Sequence, residues 1–237
     1  MKRLAPFALA ALLLPAAALA AEAPRTLTLN GLGEVFARPD VAIITLGVEK
    51  RAKTAREALM ANTRAMTAVF DVLKGKWKLA DADMRTSGFS IRARYVYPKN
   101  SYSSGGEPKL VGYVVSNMLT IRVHDLKKTG GILDDVVRTG SNRINGIAFS
   151  IEKPAPLKDE ARRLAVRDAL RKARIYAGEA GFKLGEVLRF SESGGFIPPR
   201  PVMMARTKML ESAAAPVPVA AGKQALRVSV SITWRIR

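Results

Sequence analysis

Few side chains in this 237-residue sequence have the types and spacing that catalysis requires. There is one histidine, His124, and it stands beside Asp125. A paired histidine and aspartate are two-thirds of a nucleophilic triad, in which the carboxylate orients the imidazole. Asp125 also stands where a helix would start, and capping uses the same carboxylate. With one histidine and no cysteine, the usual nitrogen and sulfur ligands of a metal site are lacking. Asp134-Asp135 and Asp81-x-Asp83 have no oxygen-rich calcium loop around them and read as a solvated helix face and a turn. Gly31-Leu32-Gly33-Glu34 lacks the third glycine and following helix of a dinucleotide site, and the lysine of a phosphate loop. No G-x-S-x-G nucleophile elbow occurs. The residues therefore assign no catalytic, cofactor-binding or metal-binding site, and the expectation is a protein that is not an enzyme.

What the chain offers instead is positive charge. It carries 39 Lys and Arg against 20 Asp and Glu. Arg163, Arg167, Arg171 and Arg174 fall on one face of a helical pattern. They could contact an anion or a neighbouring subunit. The plainer reading is an exposed helix with internal ion pairs, because Asp159 lies four before Arg163 and Asp168 four before Lys172. Aromatic and basic residues interleave at Arg92-Ala93-Arg94-Tyr95-Val96-Tyr97. Such a surface attracts acidic lipid headgroups, polyanionic sugars, nucleic acid or acidic proteins, or it serves solubility alone.

The periodicity gives the elements that must carry these residues. Thr26–Asn30 alternates, Gly31-Leu32-Gly33 interrupts, and Glu34–Phe36 resumes; glycine in a strand predicts a bulge or a close backbone approach. After a turn at Pro39-Asp40, Val41–Glu49 is apolar on both faces, as a central strand is. Thr54-Ala55-Arg56-Glu57 fits a capping box. The helix behind it places Leu59, Met66, Val69, Phe70 and Leu73 inward and ends at Gly75. Phe89–Tyr97 and Val111–Val123 form an antiparallel hairpin with a polar tip at Pro98–Pro108. A short helix at Leu126–Thr139 buries Leu133, Val136 and Val137 and stops at Gly140; Ile144–Ile151 is a strand. The longest helix, Leu157–Ala180, has a stripe of Ala161, Leu164, Ala165, Ala169, Ala173, Tyr176 and Ala177 that lets it lie close to a sheet. Strands at Leu184–Glu192 and Leu226–Ile236 complete the order ββα-ββα-β-α-ββ, an α+β fold of antiparallel sheet with packed helices. Residues 193–223 hold five prolines and no period, and predict a mobile loop.

The N-terminus predicts export. Lys2-Arg3, a short apolar stretch and Ala18-Leu19-Ala20 make a signal peptide over residues 1–20, with cleavage after Ala20. Cleavage after Ala23 is the weaker alternative, since it would leave Pro24 first. The apolar stretch is shorter than the roughly 20 residues that a spanning helix needs. No later segment is apolar enough to cross as a helix, so the mature chain, residues 21–237, is expected in the periplasm without a transmembrane segment. Setting aside Lys2 and Arg3 leaves 37 basic residues against 20 acidic ones, a formal +17. Export argues against nucleic acid as the partner. The absence of cysteine excludes disulfides and a lipid-modified cysteine.

The ordered motifs resemble the SIMPL-domain family of exported bacterial proteins, the periplasmic immunogenic and oxidative-stress defence proteins. The resemblance rests on Gly31-Leu32-Gly33-Glu34 with Pro39-Asp40, on Thr86-Ser87-Gly88-Phe89-Ser90-Ile91, and on Gly112–Asn117 leading into Leu119–Val123. It continues through Ile144-Asn145-Gly146-Ile147, Asp159-Glu160-Ala161-Arg162 and Ala180–Gly185. The resemblance implies an α+β periplasmic protein with no established enzymatic activity, associated with envelope stress tolerance and, in some members, with assembly into rings or channel-like oligomers. The expectation is a homo-oligomer that supports envelope integrity or oxidative-stress tolerance. The alternative is a basic module that docks on acidic envelope lipids or polysaccharides.

Overall fold

The computed structural model describes residues 24–97, 108–193 and 219–237. The predicted signal peptide, most of the hairpin tip and residues 194–218 of the proline-rich stretch lie outside the described residues. The elements are β1 (Thr26–Ala37), β2 (Val41–Ala52), α1 (Ala55–Asp71), β3 (Met84–Val96), β4 (Lys109–Val123), α2 (Thr129–Thr139), β5 (Arg143–Ser150), α3 (Ala155–Ala180), β6 (Leu184–Ser193) and β7 (Gln224–Ile236). The α+β class and the element order are those expected. The strands divide between two antiparallel sheets: β1-β7-β6, built from the two ends of the chain, and β3-β4-β2-β5, built from its middle.

The four-stranded sheet has an aliphatic core. Alternation along β2 buries Ala42, Ile44, Leu46 and Val48 on one face, opposite Leu119, Ile121 and Val123 of β4. Met66 and Val69 of α1 and Ile132, Leu133 and Val136 of α2 close over them. Thr54 caps α1 as a full capping box: its hydroxyl accepts from the Glu57 amide at 3.2 Å, and the Glu57 carboxylate accepts from the Thr54 amide at 3.3 Å. Two of the expected inward residues, Leu59 and Val137, are exposed. In α1 the buried row is Ala58, Asn62, Met66 and Val69, with Leu73 beyond it, so Leu59 lies one residue off that stripe. The helix does not stop at Gly75; a π turn, Val72–Lys76, carries it to Trp77. Asn62 is the polar member of the row, and its amide donates to the carbonyls of Val48 (2.7 Å) and Val115 (3.2 Å).

The three-stranded sheet packs differently. The buried residues of α3 are all alanine: Ala161, Ala165, Ala169 and Ala173. They rest on Val228, Val230, Ile232 and Trp234 of β7. Side chains this small bring the helix against the backbone of β1. A Cβ on Gly33 would lie 1.8 Å from the Ala161 carbonyl oxygen, and one on Gly31 2.0 Å from that of Ala165. The glycines therefore mark a close approach and not a bulge, and β1 pairs with β7 in unbroken register. Tyr176, expected in the buried stripe, is exposed. In the proline-rich stretch, Ser193 belongs to β6 and Val219 packs against the aliphatic core.

Candidate functional site

Helices α1 and α2 cover one face of the four-stranded sheet, and the other face carries the charge. Alternation turns Glu49 and Arg51 of β2, Val114 and Ser116 of β4, and Ser90 and Arg92 of β3 to that side. The register aligns them across three strands: Arg92, Val114 and Arg51 form one row, and Ser90, Ser116 and Glu49 the next. With Arg94 and Tyr95 of β3 and Arg143 of β5 they line a cleft of about 410 Å³.

Glu49 organises the cleft. Arg143 donates to its Oε2 through Nε (3.1 Å) and through Nη2, and Arg51 donates to its Oε1 at 2.9 Å. The hydrogen bonds from Arg143, then from Arg51, hold the Glu49 carboxyl below its usual range despite some desolvation. The side chain of Asn142, in the turn between α2 and β5, fixes the Glu49 backbone. Its Oδ1 accepts from the Glu49 amide at 2.7 Å, and its Nδ2 donates to the Glu49 carbonyl at 2.9 Å. Among the described residues, no carboxylate pairs with Arg92 or Arg94. Among the described residues, the cleft thus presents four guanidinium groups around one carboxylate. Arginine does not release its proton in proteins, and Glu49 stays ionised at neutral pH, so this arrangement can hold an anion.

Elsewhere on the hairpin, apolar side chains are exposed. A bulge at Ser87 shifts the alternation of β3 by one residue. Before it, Met84 packs on the aliphatic core; after it, Phe89 and Ile91 continue on that face but remain exposed. Tyr95, Val96 and Tyr97 are also exposed, Tyr97 at 71%, as are Leu110 and Val111 across the hairpin. β3 is also an edge strand.

The four arginines singled out on the long helix all lie exposed on the outer side of α3, opposite its alanines, and none lines the cleft. Arg163 pairs with Glu160 and Arg171 with Asp168, each at 2.7 Å; Asp159 takes Arg162, not Arg163. Asp168 and Lys172 pair as expected, and they also reach β1. The Leu32 amide donates to the Asp168 carboxylate at 3.0 Å, and Lys172 Nζ donates to the Asn30 carbonyl at 2.9 Å. These side chains occupy backbone groups on the edge of β1. Lys172, the Leu32 amide and Arg171 together hold the Asp168 carboxyl far below its ordinary range.

His124 does not pair with Asp125. Its ring nitrogens face Asp83 (3.0 Å) and Glu152 (3.3 Å), which raises its pKa, mainly through the Asp83 bond. Asp125 accepts from the Lys127 amide and caps the turn before α2. Asp135 is not a solvated helix residue either. It accepts from Trp77 Nε1 at 2.9 Å and pairs with Lys76, while the Trp77 ring occupies the space that a Cβ on Gly131 would need.

With this geometry in hand, comparison with known proteins decides the family. The SIMPL family model, described as a protein of unknown function (DUF541), matches residues 27–234. The chain belongs to the SIMPL family. It is 41% identical over 220 residues to the 26 kDa periplasmic immunogenic protein of Brucella melitensis biotype 1, covering 90% of this chain and 86% of that protein. The protein of the same name from Brucella abortus matches to the same extent. The uncharacterized protein YggE of Escherichia coli K12 is 26% identical over 188 residues, 79% of this chain and 72% of its own length. This SIMPL protein is periplasmic, as expected from its N-terminal residues. Among the described residues, no helix is long and apolar enough to cross a membrane.

Proposed function

We propose that this SIMPL protein is a non-enzymatic periplasmic building block. Its leader, residues 1–20, is removed after Ala20, and the mature chain assembles with copies of itself into a ring or channel-like oligomer. The assembly supports envelope integrity and tolerance of oxidative stress. The observation that carries this reading is the exposed apolar surface of the β3–β4 hairpin, from Phe89 to Tyr97 with Leu110 and Val111, on an edge strand. Several large apolar side chains left exposed near one another are a feature of interaction sites, and an uncovered strand edge offers backbone groups to another chain. Burying a phenylalanine or isoleucine side chain contributes about 1.5–3 kcal/mol. A handful of such residues from each copy suffices for a stable joint.

The test is the native mass of the exported protein across a range of concentrations. A discrete multiple of the mature chain mass is expected, with Ala21 as the first residue on N-terminal sequencing. The double variant Phe89→Ser/Ile91→Ser should shift the mass downward and should fail to restore peroxide survival to cells lacking the protein. A monomer at every concentration contradicts the proposal.

A second reading has its own observation. The cleft gathers four arginines around Glu49, which supports a basic module that holds an acidic envelope component. The two readings use one sheet, share Tyr95 and are compatible.

A further inference from the structure

We infer that the cleft on the open face of the four-stranded sheet is a binding site for a phosphate group carried on a sugar. This rests on the second reading above and narrows it from a charged surface to one site and one ligand class. The register sets Arg92 and Arg51 on either side of Val114, two strand spacings or about 10 Å apart at Cα. Both guanidinium groups can then converge on one anion between them. Val114 keeps the floor between them low. Glu49 pins Arg51 and Arg143, while Arg92 and Arg94 face the cleft with no carboxylate beside them among the described residues.

The charge balance selects the ligand. Among the described residues, four guanidinium groups against one carboxylate leave an excess that a dianion matches better than a monoanion. Each guanidinium presents a planar fork of N–H donors, which a phosphate can meet with three oxygens and a carboxylate ligand with only two. The neutral lining suits what the phosphate is attached to: Ser90 and Ser116 offer hydroxyl partners, and Tyr95 offers a phenol and an aromatic ring. About 410 Å³ is the size of a small-ligand site and accommodates a phosphorylated monosaccharide.

Calorimetric titration of the full mature chain with glucose 1-phosphate tests this, with glucose, glucuronate, inorganic phosphate and phosphatidylglycerol vesicles as comparators. Glucose 1-phosphate should bind, and should bind more weakly as salt rises. Glucuronate and inorganic phosphate should bind less tightly, and glucose not measurably. Arg92→Gln/Arg94→Gln should weaken the interaction about tenfold or more, because hydrogen bonds to charged groups are the strong class. Arg163→Gln/Arg171→Gln removes the same charge from α3 and should leave binding unchanged. Melting curves should show both variants folded. Equal losses in the two variants would overturn the site while leaving the coarser charged-surface reading standing. Inorganic phosphate binding as tightly as the ester, or vesicles binding in place of it, would also overturn the proposal. Failure of every anion to bind would remove the second reading with it.

Discussion

The two sheets of this protein solve the same packing problem in opposite ways. The three-stranded sheet is closed by α3 over β1 and β7, while β6 at its far edge leaves Val187, Leu188 and Phe190 exposed. Glycine faces alanine across the seam, Asp168 and Lys172 occupy backbone groups on the β1 edge, and Arg162 reaches Glu192 on β6 at 3.0 Å. The four-stranded sheet has the larger aliphatic core, yet it leaves one face bare, its arginines outnumbering its carboxylates, and exposes aromatic surface on the β3 edge. A helix that lies this close to a strand can cover the edge with charged side chains, here Asp168 and Lys172, which is a known protection against unwanted pairing. No described element covers β3 in the same way. The contrast teaches that close glycine–alanine packing ties the chain ends to one helix, whereas the middle of the chain leaves a charged sheet face open, which the proposed function uses.

The largest expected effects break the closed sheet. Gly33→Val drives a side chain into the Ala161 carbonyl and should cost about 3 kcal/mol or more, measured by thermal unfolding. In the open sheet, Gly88 has its nearest neighbour, Met118 Cβ, 3.7 Å from an added Cβ, so Gly88→Ala should change stability by no more than about 1 kcal/mol. Trp234→Ala should cost about 3–5 kcal/mol, since the ring is 3% exposed in the core beneath α3. The corresponding polar test in the open sheet is Asn62→Ala, which leaves the Val48 and Val115 carbonyls without its amide and should cost about 1–3 kcal/mol in denaturant unfolding.

Smaller effects appear in pH dependence. Asp168 in the closed sheet and Glu49 and Asp135 in the open one have lowered pKa values. A carboxylate whose folded pKa is depressed contributes stability above its unfolded value and loses it as pH falls below about 4. Both sheets therefore share the acid limb. His124 has the opposite sign. Its folded pKa is raised, so its contribution is complete below about pH 6.5 and disappears as pH rises through the raised value. His124→Gln should flatten that neutral limb and leave the acid limb, while Asp168→Asn should flatten part of the acid limb only. The smallest stability change is expected for Phe89→Ser/Ile91→Ser, within about 1 kcal/mol for exposed side chains, although the particle mass falls.

Much of this architecture was legible because it is written in local periodicity. The capping box at Thr54 and Glu57, the alanine stripe of α3, the central position of β2 and the alternation of Leu226 to Trp234 each depend on residues a few positions apart. Non-local pairing hid the rest. Nothing near Thr26 signals that its strand lies beside Arg235 in a separate sheet. Glu49 meets Arg143 across 94 residues, so the cleft was invisible as a cluster, although Arg92-Ala93-Arg94-Tyr95 gave one side of it. The α3 arginines stood out because helical spacing is easy to see, and the structure places them away from the cleft. The bulge at Ser87 decides which side chains of β3 are left exposed, and Gly88 next to it was its only sequence signal.

The direct test of the division between the two sheets uses the absence of cysteine. Ile91→Cys on β3 and Leu32→Cys on β1 each install a single thiol at an exposed apolar position. The purified proteins are treated with a thiol-reactive bifunctional cross-linker and resolved by mass under denaturing conditions. Covalent dimers from Ile91→Cys, with Leu32→Cys remaining a single chain, is the result the account predicts. Dimers from Leu32→Cys with none from Ile91→Cys would show that the closed sheet makes the contacts and would contradict it.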